Sequence, residues 1–215
     1  MSRILVINPN SNESVTEGLR ESLQEFNSSA DIECCTLEEG PFGIETGEDI
    51  ANVIPLVLQK ISESPEFDVY VIACYSDPGL AECKVMFSKP VFGMQRSAIE
   101  KAISIGDKFG VLALSEQSIE RHLAYMRGLG LDGQLAGELS LDISVDEAAN
   151  DAASFGKIIS QGRRLIDESG ADVLILGCAG MASHRKPSEK VLQVPVIEPA
   201  QAAVSIAIEA LKSSS

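Results

Sequence analysis

Two seven-residue segments constrain this chain more than any other feature. Residues 68–74 read DVYVIAC and residues 172–178 read DVLILGC. Each opens on an aspartate, runs through Val, Ile and Leu, and ends on a thiol. Short apolar runs without polar alternation form strands buried on both faces of a parallel sheet. Small and turn-forming residues follow: Ser76, Asp77, Pro78 and Gly79 in the first copy, Ala179 and Gly180 in the second. Each strand is therefore expected to break into a loop at its carboxyl end. Open α/β sheets bind their ligands there, so Cys74 and Cys178 are expected to face one pocket.

The two segments belong to a longer repeat. Ile4 aligns with Gly110, Asp68 with Asp172 and Pro90 with Pro195, at a nearly constant offset of about 105 residues. PVFGMQRSA and PVIEPAQAA, starting at Pro90 and Pro195, each follow a cysteine segment by a similar interval. Parallel strands all share Val and Ile, but that likeness does not account for paired cysteines. The fold class that follows is α/β, with two pseudosymmetric lobes. Each lobe is a mainly parallel sheet flanked by helices, and the active site lies in the cleft between them.

In chain order, the first half reads as a strand at 3–7, an Asn-rich turn at 8–12 and an amphipathic helix at 14–26 carrying Val15, Leu19, Leu23 and Phe26. A strand at 31–37 follows, with Cys34 and Cys35 on opposite faces. The segment 39–47 reads as a loop near the carboxyl edge of the sheet. Residues 49–62 form a helix that tolerates Pro55 only in its first turn or at a kink. After the first cysteine strand come a helix at 78–87 and a short strand at 90–93. The second half repeats the pattern with a helix to 105, a strand at 109–115, a helix to 128 and a strand at 134–141. One long helix at 146–169, weakened by Gly156 and Gly162, precedes the second cysteine strand. A polar loop with His184, Arg185 and Lys186, a strand at 194–197 and a helix at 200–211 complete the reading.

The net charge of −15 argues against a nucleic-acid or anionic-membrane partner, because both would repel the chain at long range. No run approaches the roughly 18 apolar residues of a membrane span, and the first apolar run, 4–7, is too short for a signal-peptide core. A cytoplasmic protein acting on a small molecule is the expectation. Five cysteines without a spaced framework read as free thiols. Two histidines, His122 and His184, without close Cys/His spacing argue against a metal site. Cys34, Cys35 and Cys83 read as buried apolar filler, and the two histidines as surface or loop residues.

Two thiols facing one pocket can act as a pair. A thiolate is a base and a thiol an acid, with an ordinary pKa near 8.5 that a helix amino terminus lowers. If one is ionised and the other is not, one takes a proton from a planar carbanion's precursor and the other returns a proton to the opposite face. That is racemisation with no cofactor. The carbanion's charge needs preorganised donors. The backbone N–H groups after each cysteine, and the side chains of Asn10, Ser11, Ser76 and Ser115, are candidates for binding substrate. Asn10 and Ser115 occupy repeat-related positions.

The motifs INPNS at 7–11, IACYSDPGL at 72–80 and LGCAGM at 176–181 resemble the aspartate/glutamate racemase superfamily, most closely the hydantoin racemases and their allantoin racemase relatives. The resemblance extends over essentially the whole chain. It implies Cys74 and Cys178 as catalytic acid/base residues, a homo-oligomer, and a final helix packed back on the first lobe. The lobes would then comprise 1–95 with 199–215, and 96–198. Amino-acid racemases of this superfamily typically follow their cysteines with Asn-Thr and Thr. Here Tyr75, Ser76, Ala179 and Gly180 stand instead, which points to a neutral 5-substituted hydantoin or allantoin-like ring. The other readings are an aspartate/glutamate-type racemase or maleate isomerase-like enzyme, and a non-catalytic thiol-sensing or binding protein of the same fold. An arylmalonate decarboxylase-like reaction would need only one of the two cysteines.

Overall fold

The structure is a computed structural model that describes residues 1–213; residues 214 and 215, the end of the expected first lobe, lie outside the described residues. The first half runs β1 (Arg3–Asn8), α1 (Glu13–Leu23), β2 (Asp31–Thr36), α2 (Gly47–Ser62), β3 (Val69–Ile72), α3 (Leu80–Met86), β4 (Val91–Gly93) and α4 (Met94–Ile105). The second runs β5 (Phe109–Ala113), α5 (Glu116–Leu129), β6 (Leu135–Ser140), α6 (Val145–Asn150), α7 (Ala153–Ser169), β7 (Val173–Leu176), α8 (Arg185–Leu192), β8 (Val196–Ile197) and α9 (Pro199–Ser213). Two four-stranded sheets result, ordered β2-β1-β3-β4 and β6-β5-β7-β8, and every pairing is parallel. The order is the same under the repeat. The two-lobed α/β class read from the sequence is the fold observed.

Period-two alternation assigns the faces. Leu5 and Ile7 of β1 pack with Val57 and Ile61 of α2 and Cys83 of α3, while Ile4 and Val6 turn to a second cluster with Val15 and Leu19 of α1 and Val204 of α9. In the other sheet Val173 and Ile175 meet Met126 of α5 and Ala98 of α4. Leu174 and Leu176 join Ile158 and Leu165 of α7, in the same cluster that holds Ile4 and Val6. The central strands are buried on both faces, as their unbroken Val/Ile/Leu runs require. Cys34 and Cys35 do fall on opposite faces of β2, one in each cluster.

Each cysteine strand opens on an aspartate for a structural reason. Asp68 Oδ2 accepts from the Arg3 backbone N–H at 2.8 Å. Asp172 accepts from Asp107 and Lys108 at 3.0 Å each, and these amides hold its carboxyl below the usual range. The side chain thus ties the start of the cysteine strand to the start of the neighbouring central strand in both lobes.

Two expectations are corrected and a third is narrowed. The helix read at 146–169 is two helices, because Asp151 adopts an extended backbone and its carboxylate accepts from Ala153 N at 2.8 Å, ending α6 before α7 begins. Asp competes with the helix backbone in this way. The polar loop around His184–Lys186 is instead a 3-10 turn, Ala179–His184, running into α8. Of the two ways expected for α2 to tolerate Pro55, the first-turn placement is excluded: Pro55 lies in the third turn, because Thr46 and Asp49 form a capping box that starts the helix at Gly47.

The helices that follow the edge strands are capped by carboxylates from different places. Glu198 at the end of β8 accepts from Ala200 N at 2.9 Å and Gln201 N at 2.8 Å, capping α9. Gly93 holds the corresponding position after β4. There Asp77, from the loop after Cys74, accepts from Gln95 N at 2.8 Å, Arg96 N at 3.0 Å and the Tyr125 hydroxyl at 3.0 Å. A Cβ on Gly93 would stand 2.3 Å from Asp77 Cγ. The Asp77 carboxylate fills the space that a side chain at position 93 would take, from a left-handed backbone with φ 44°. Gly93→Ala is therefore expected to cost about 2 kcal/mol, within the usual cost of overpacking, as read by chemical denaturation. Adding Asp77→Ala should remove most of that increment, giving a non-additive double-mutant cycle. Strict additivity would count against this packing.

Candidate active site

Cys74 lies two residues beyond β3 and Cys178 two beyond β7, so neither belongs to the strand it follows. Gly177 makes the second approach possible, since a Cβ there would lie 2.7 Å from the Leu112 carbonyl oxygen. Cys178 has extended backbone and starts the 3-10 turn. Its sulfur accepts from the Gly180 backbone N–H at 3.3 Å. For Cys74 the backbone N–H of Ser76 is the corresponding group, and it favours the thiolate. The amide two residues ahead thus acts on the thiol in both halves of the repeat. Both thiols line one cavity.

Burial dominates the electrostatics of both thiols. It pushes Cys74 up to about 12, against the Ser76 amide and the Arg121 charge, which favour the thiolate. Cys178 is also pushed up to about 12 by burial, with the Gly180 amide opposing and the Glu45 and Glu198 carboxyls adding to the rise. The sequence-based expectation of a helix terminus lowering these values is corrected. Cys178 precedes a 3-10 turn, and Cys74 is followed by a turn through Asp77 before α3 starts at Leu80.

The floor of the cavity is polar and prearranged. Asn10 Oδ1 accepts from the Asn8 side-chain amide at 3.0 Å and from Asn12 N at 2.9 Å. Those bonds commit the oxygen and turn the Asn10 amide nitrogen toward other partners. Asn8 is itself fixed by Thr16 Oγ1 at 3.0 Å, and Asn12 caps α1 through Ser14 N. Asn12 also donates to Asp146 Oδ1 at 3.1 Å, a bond between the two halves of the chain. Ser115 caps α5, with its oxygen accepting from Ser118 N.

Of the candidate residues named from sequence, Asn10, Cys74, Tyr75, Ser76, Ser115, Cys178 and Ala179 line the cavity. Ser11 does not; its N–H donates to the Pro41 carbonyl at 3.0 Å. Gly180 is off the wall too, acting through its amide on Cys178. The sequence reading missed Ile44, Glu45, Arg121, His122 and Val145, all of which line the cavity. His122, expected at the surface, is 3% exposed. The buried stripe of α5 is Ser118, His122 and Met126; the four-residue spacing was visible, but only one of the three is apolar.

Ile44 and Glu45 bring the 39–47 loop over the site. The Glu45 carbonyl accepts from Arg121 Nη2 at 3.1 Å, and its carboxylate from Val145 N at 3.1 Å. One residue of the first half thus grips α5 and α6 of the second. The space open to the centre of a water-sized sphere is about 50 Å³, enough for a few waters. Among the described residues, no group of three or more His, Cys, Asp or Glu side chains is placed to hold a metal ion, and no helix is long and apolar enough to cross a membrane.

Known proteins resemble this chain over most of its length. A hydantoin racemase of Paenarthrobacter aurescens is 32% identical over 212 residues, spanning 95% of this chain and 89% of its own. The solved structure of an allantoin racemase from Klebsiella pneumoniae superposes with a TM-score of 0.94 at 27% identity, covering 100% of this chain and 89% of its own. A glutamate racemase from Bacillus anthracis shares the fold at a TM-score of 0.74 and 18% identity, over 99% of this chain and 82% of its own. The sequence profile of the Asp/Glu/Hydantoin racemase family matches residues 4–207, and the chain belongs to that family.

Proposed function

We propose that this protein racemises a 5-substituted hydantoin or an allantoin-like ring by proton transfer between Cys74 and Cys178. The observation that carries the reading is the pair of repeat-related thiols on one cavity, each acted on by the amide two residues ahead. One cysteine, as thiolate, takes the proton from the ring carbon; the C–H bond breaks, an S–H bond forms, and the electron pair moves onto the adjacent carbonyl oxygen. The other thiol then delivers its proton to the opposite face of the carbon, and its sulfur is left as the thiolate. The next turnover can run in the reverse sense, so protons and charge balance without a cofactor.

Tyr75, Ala179 and the backbone flanking both cysteines offer amides rather than ion pairs, and the Glu45 and Arg121 that also line the cavity are engaged, Arg121 with the Glu45 carbonyl and the Glu45 carboxylate with Val145 N. The Asn10 amide nitrogen, freed by the bonds that its oxygen makes, is a donor for a ring carbonyl. The relatives named as hydantoin and allantoin racemases support this substrate class.

The direct test follows one enantiomer of 5-benzylhydantoin in deuterated water by optical rotation and by exchange at the ring carbon. Cys74→Ser and Cys178→Ser are each expected to lower racemisation by about 10²–10⁴-fold, the range of general acid–base catalysis, with the fold intact by circular dichroism. Wild-type rates in either variant would exclude the two-thiol scheme.

A second prediction concerns pH. Because burial raises both thiols to about 12, the thiolate is scarce at neutral pH, and kcat/KM should climb roughly tenfold per pH unit through the range where the protein stays folded. The sign for stability is opposite. A folded pKa raised above the unfolded value of about 8.5 contributes stability below that value, and this contribution is lost progressively as pH rises above it. A rate plateau beginning below pH 8 would show a thiolate already formed in the free enzyme and contradict this account.

A further inference from the structure

A buried histidine lines the cysteine cavity with a buried glutamate behind it, and the proton-transfer scheme leaves both unused. His122, on α5, places Nδ1 2.5 Å from Oε1 of Glu138, on β6. The side chains are 3% and 1% exposed. Tyr75, the residue after the first cysteine, packs its ring edge-on against the imidazole at 4.9 Å and 81°. The imidazole is thus fixed on one side by a carboxyl group and on another by an aromatic ring. Its remaining nitrogen, Nε2, makes no hydrogen bond to any described residue, and the residue lines the cavity.

The protonation of the pair decides what Nε2 can do. Glu138 Oε2 is buried with no hydrogen-bond partner, so a net negative charge on the pair would be poorly solvated. Burial correspondingly raises the Glu138 carboxyl. Two protons shared by the pair leave it electrically neutral. Drawn as imidazolium with carboxylate or as imidazole with carboxylic acid, the neutral pair carries a hydrogen on Nε2 in both forms. A neutral pair of this kind would offer an N–H donor on the side of the imidazole away from Glu138.

We infer that His122, positioned by Glu138, is a further catalytic residue that donates its Nε2–H to the substrate carbonyl oxygen beside the carbon that loses its proton. This rests on the racemase reading above. The donor's bond strengthens as charge develops on that oxygen, while the proton removed from carbon stays on sulfur, so the dyad gains and loses no proton in a turnover. Glu138 is a positioning residue in this scheme. It keeps the imidazole in the donating form and sets its direction, as the carboxylate partner of a histidine does elsewhere.

The test has two arms. In the first, nitrogen-15 NMR of the histidine-labelled wild-type protein at pH 7 should show a hydrogen on His122 Nε2, with a shift in that signal when 5-benzylhydantoin is added. In the second, His122→Phe should lower kcat for this hydantoin by about 10²–10³-fold, the effect of removing one oxyanion donor, with KM changed less than about threefold. His122→Gln, which keeps an N–H donor, should recover part of the loss, and Glu138→Gln should lower kcat at least tenfold. An Nε2 without a hydrogen, a signal unmoved by the hydantoin, or His122→Phe and His122→Gln both holding kcat within threefold would each overturn the inference. A wild-type protein that racemises no hydantoin would instead overturn the racemase reading, an outcome separable from the behaviour of the variants.

Discussion

Two thiols from chain positions about a hundred residues apart share a cavity because one apolar cluster runs through both lobes. Ile4 and Val6 of the first sheet and Leu174 and Leu176 of the second belong to it, bridged by Val15 and Leu19 of α1 and by Ala200, Ala203, Val204 and Ala207 of α9. The alanines matter by their size. They let α9 lie close against α4 while also touching β3 and β4, and each is buried. Close-packed interiors deform little, so this packing fixes the ends of β3 and β7 relative to each other. Polar ties between the halves, among them Asn12 to Asp146, Tyr125 to Asp77, and Gln201 to the Ser22 carbonyl, set register on a frame that the apolar residues already hold.

That frame creates an electrostatic conflict. The same enclosure that positions the thiols raises both, and the amides of Ser76 and Gly180 offset only part of the rise. An enclosed site strengthens every oriented dipole within it, so the donors around the ring matter more as water is excluded. Glu45 stands at the centre of this trade. By holding the Arg121 guanidinium through its carbonyl and Val145 N through its carboxylate, it closes the cavity. It also sets a carboxylate near Cys178 and helps to hold a cation near Cys74. The two thiols are related by the repeat, but their surroundings differ: Cys74 has both the Asp77 carboxyl and the Arg121 cation near it, whereas Cys178 has the Glu45 and Glu198 carboxyls.

The parallel sheets, the repeat and the cysteine pair were legible because they rest on short-range patterns: apolar runs, a thiol at each end, turn residues beyond. What escaped was set by contacts distant in sequence. Asp151 reads as one more polar residue in an amphipathic stretch until its carboxylate is seen to cap Ala153. His122 reads as a surface histidine because its partner, Glu138, comes from a strand that the helix must first fold back to meet. Glu45 lies in a loop without periodicity, and only the packing of the second half on the first brings it to the cavity. Asn10 was identifiable as a polar residue after a strand, yet the direction of its amide depends on Asn8 and Asn12 together.

The exchange of caps between the lobes bears on how a duplicated chain becomes indivisible. In the second lobe the carboxylate that starts α9 comes from the strand just before it; in the first it is borrowed from the loop carrying the first thiol, and Gly93 leaves room for it. Tyr125 of the second half binds that same Asp77. The halves still share a strand order, but they are no longer interchangeable parts. Two copies of the second half would carry no aspartate after the cysteine, and two copies of the first would lack a glutamate at the start of the last helix. Each thiol's setting depends on residues encoded in the other half, Arg121 for Cys74 and Glu45 for Cys178.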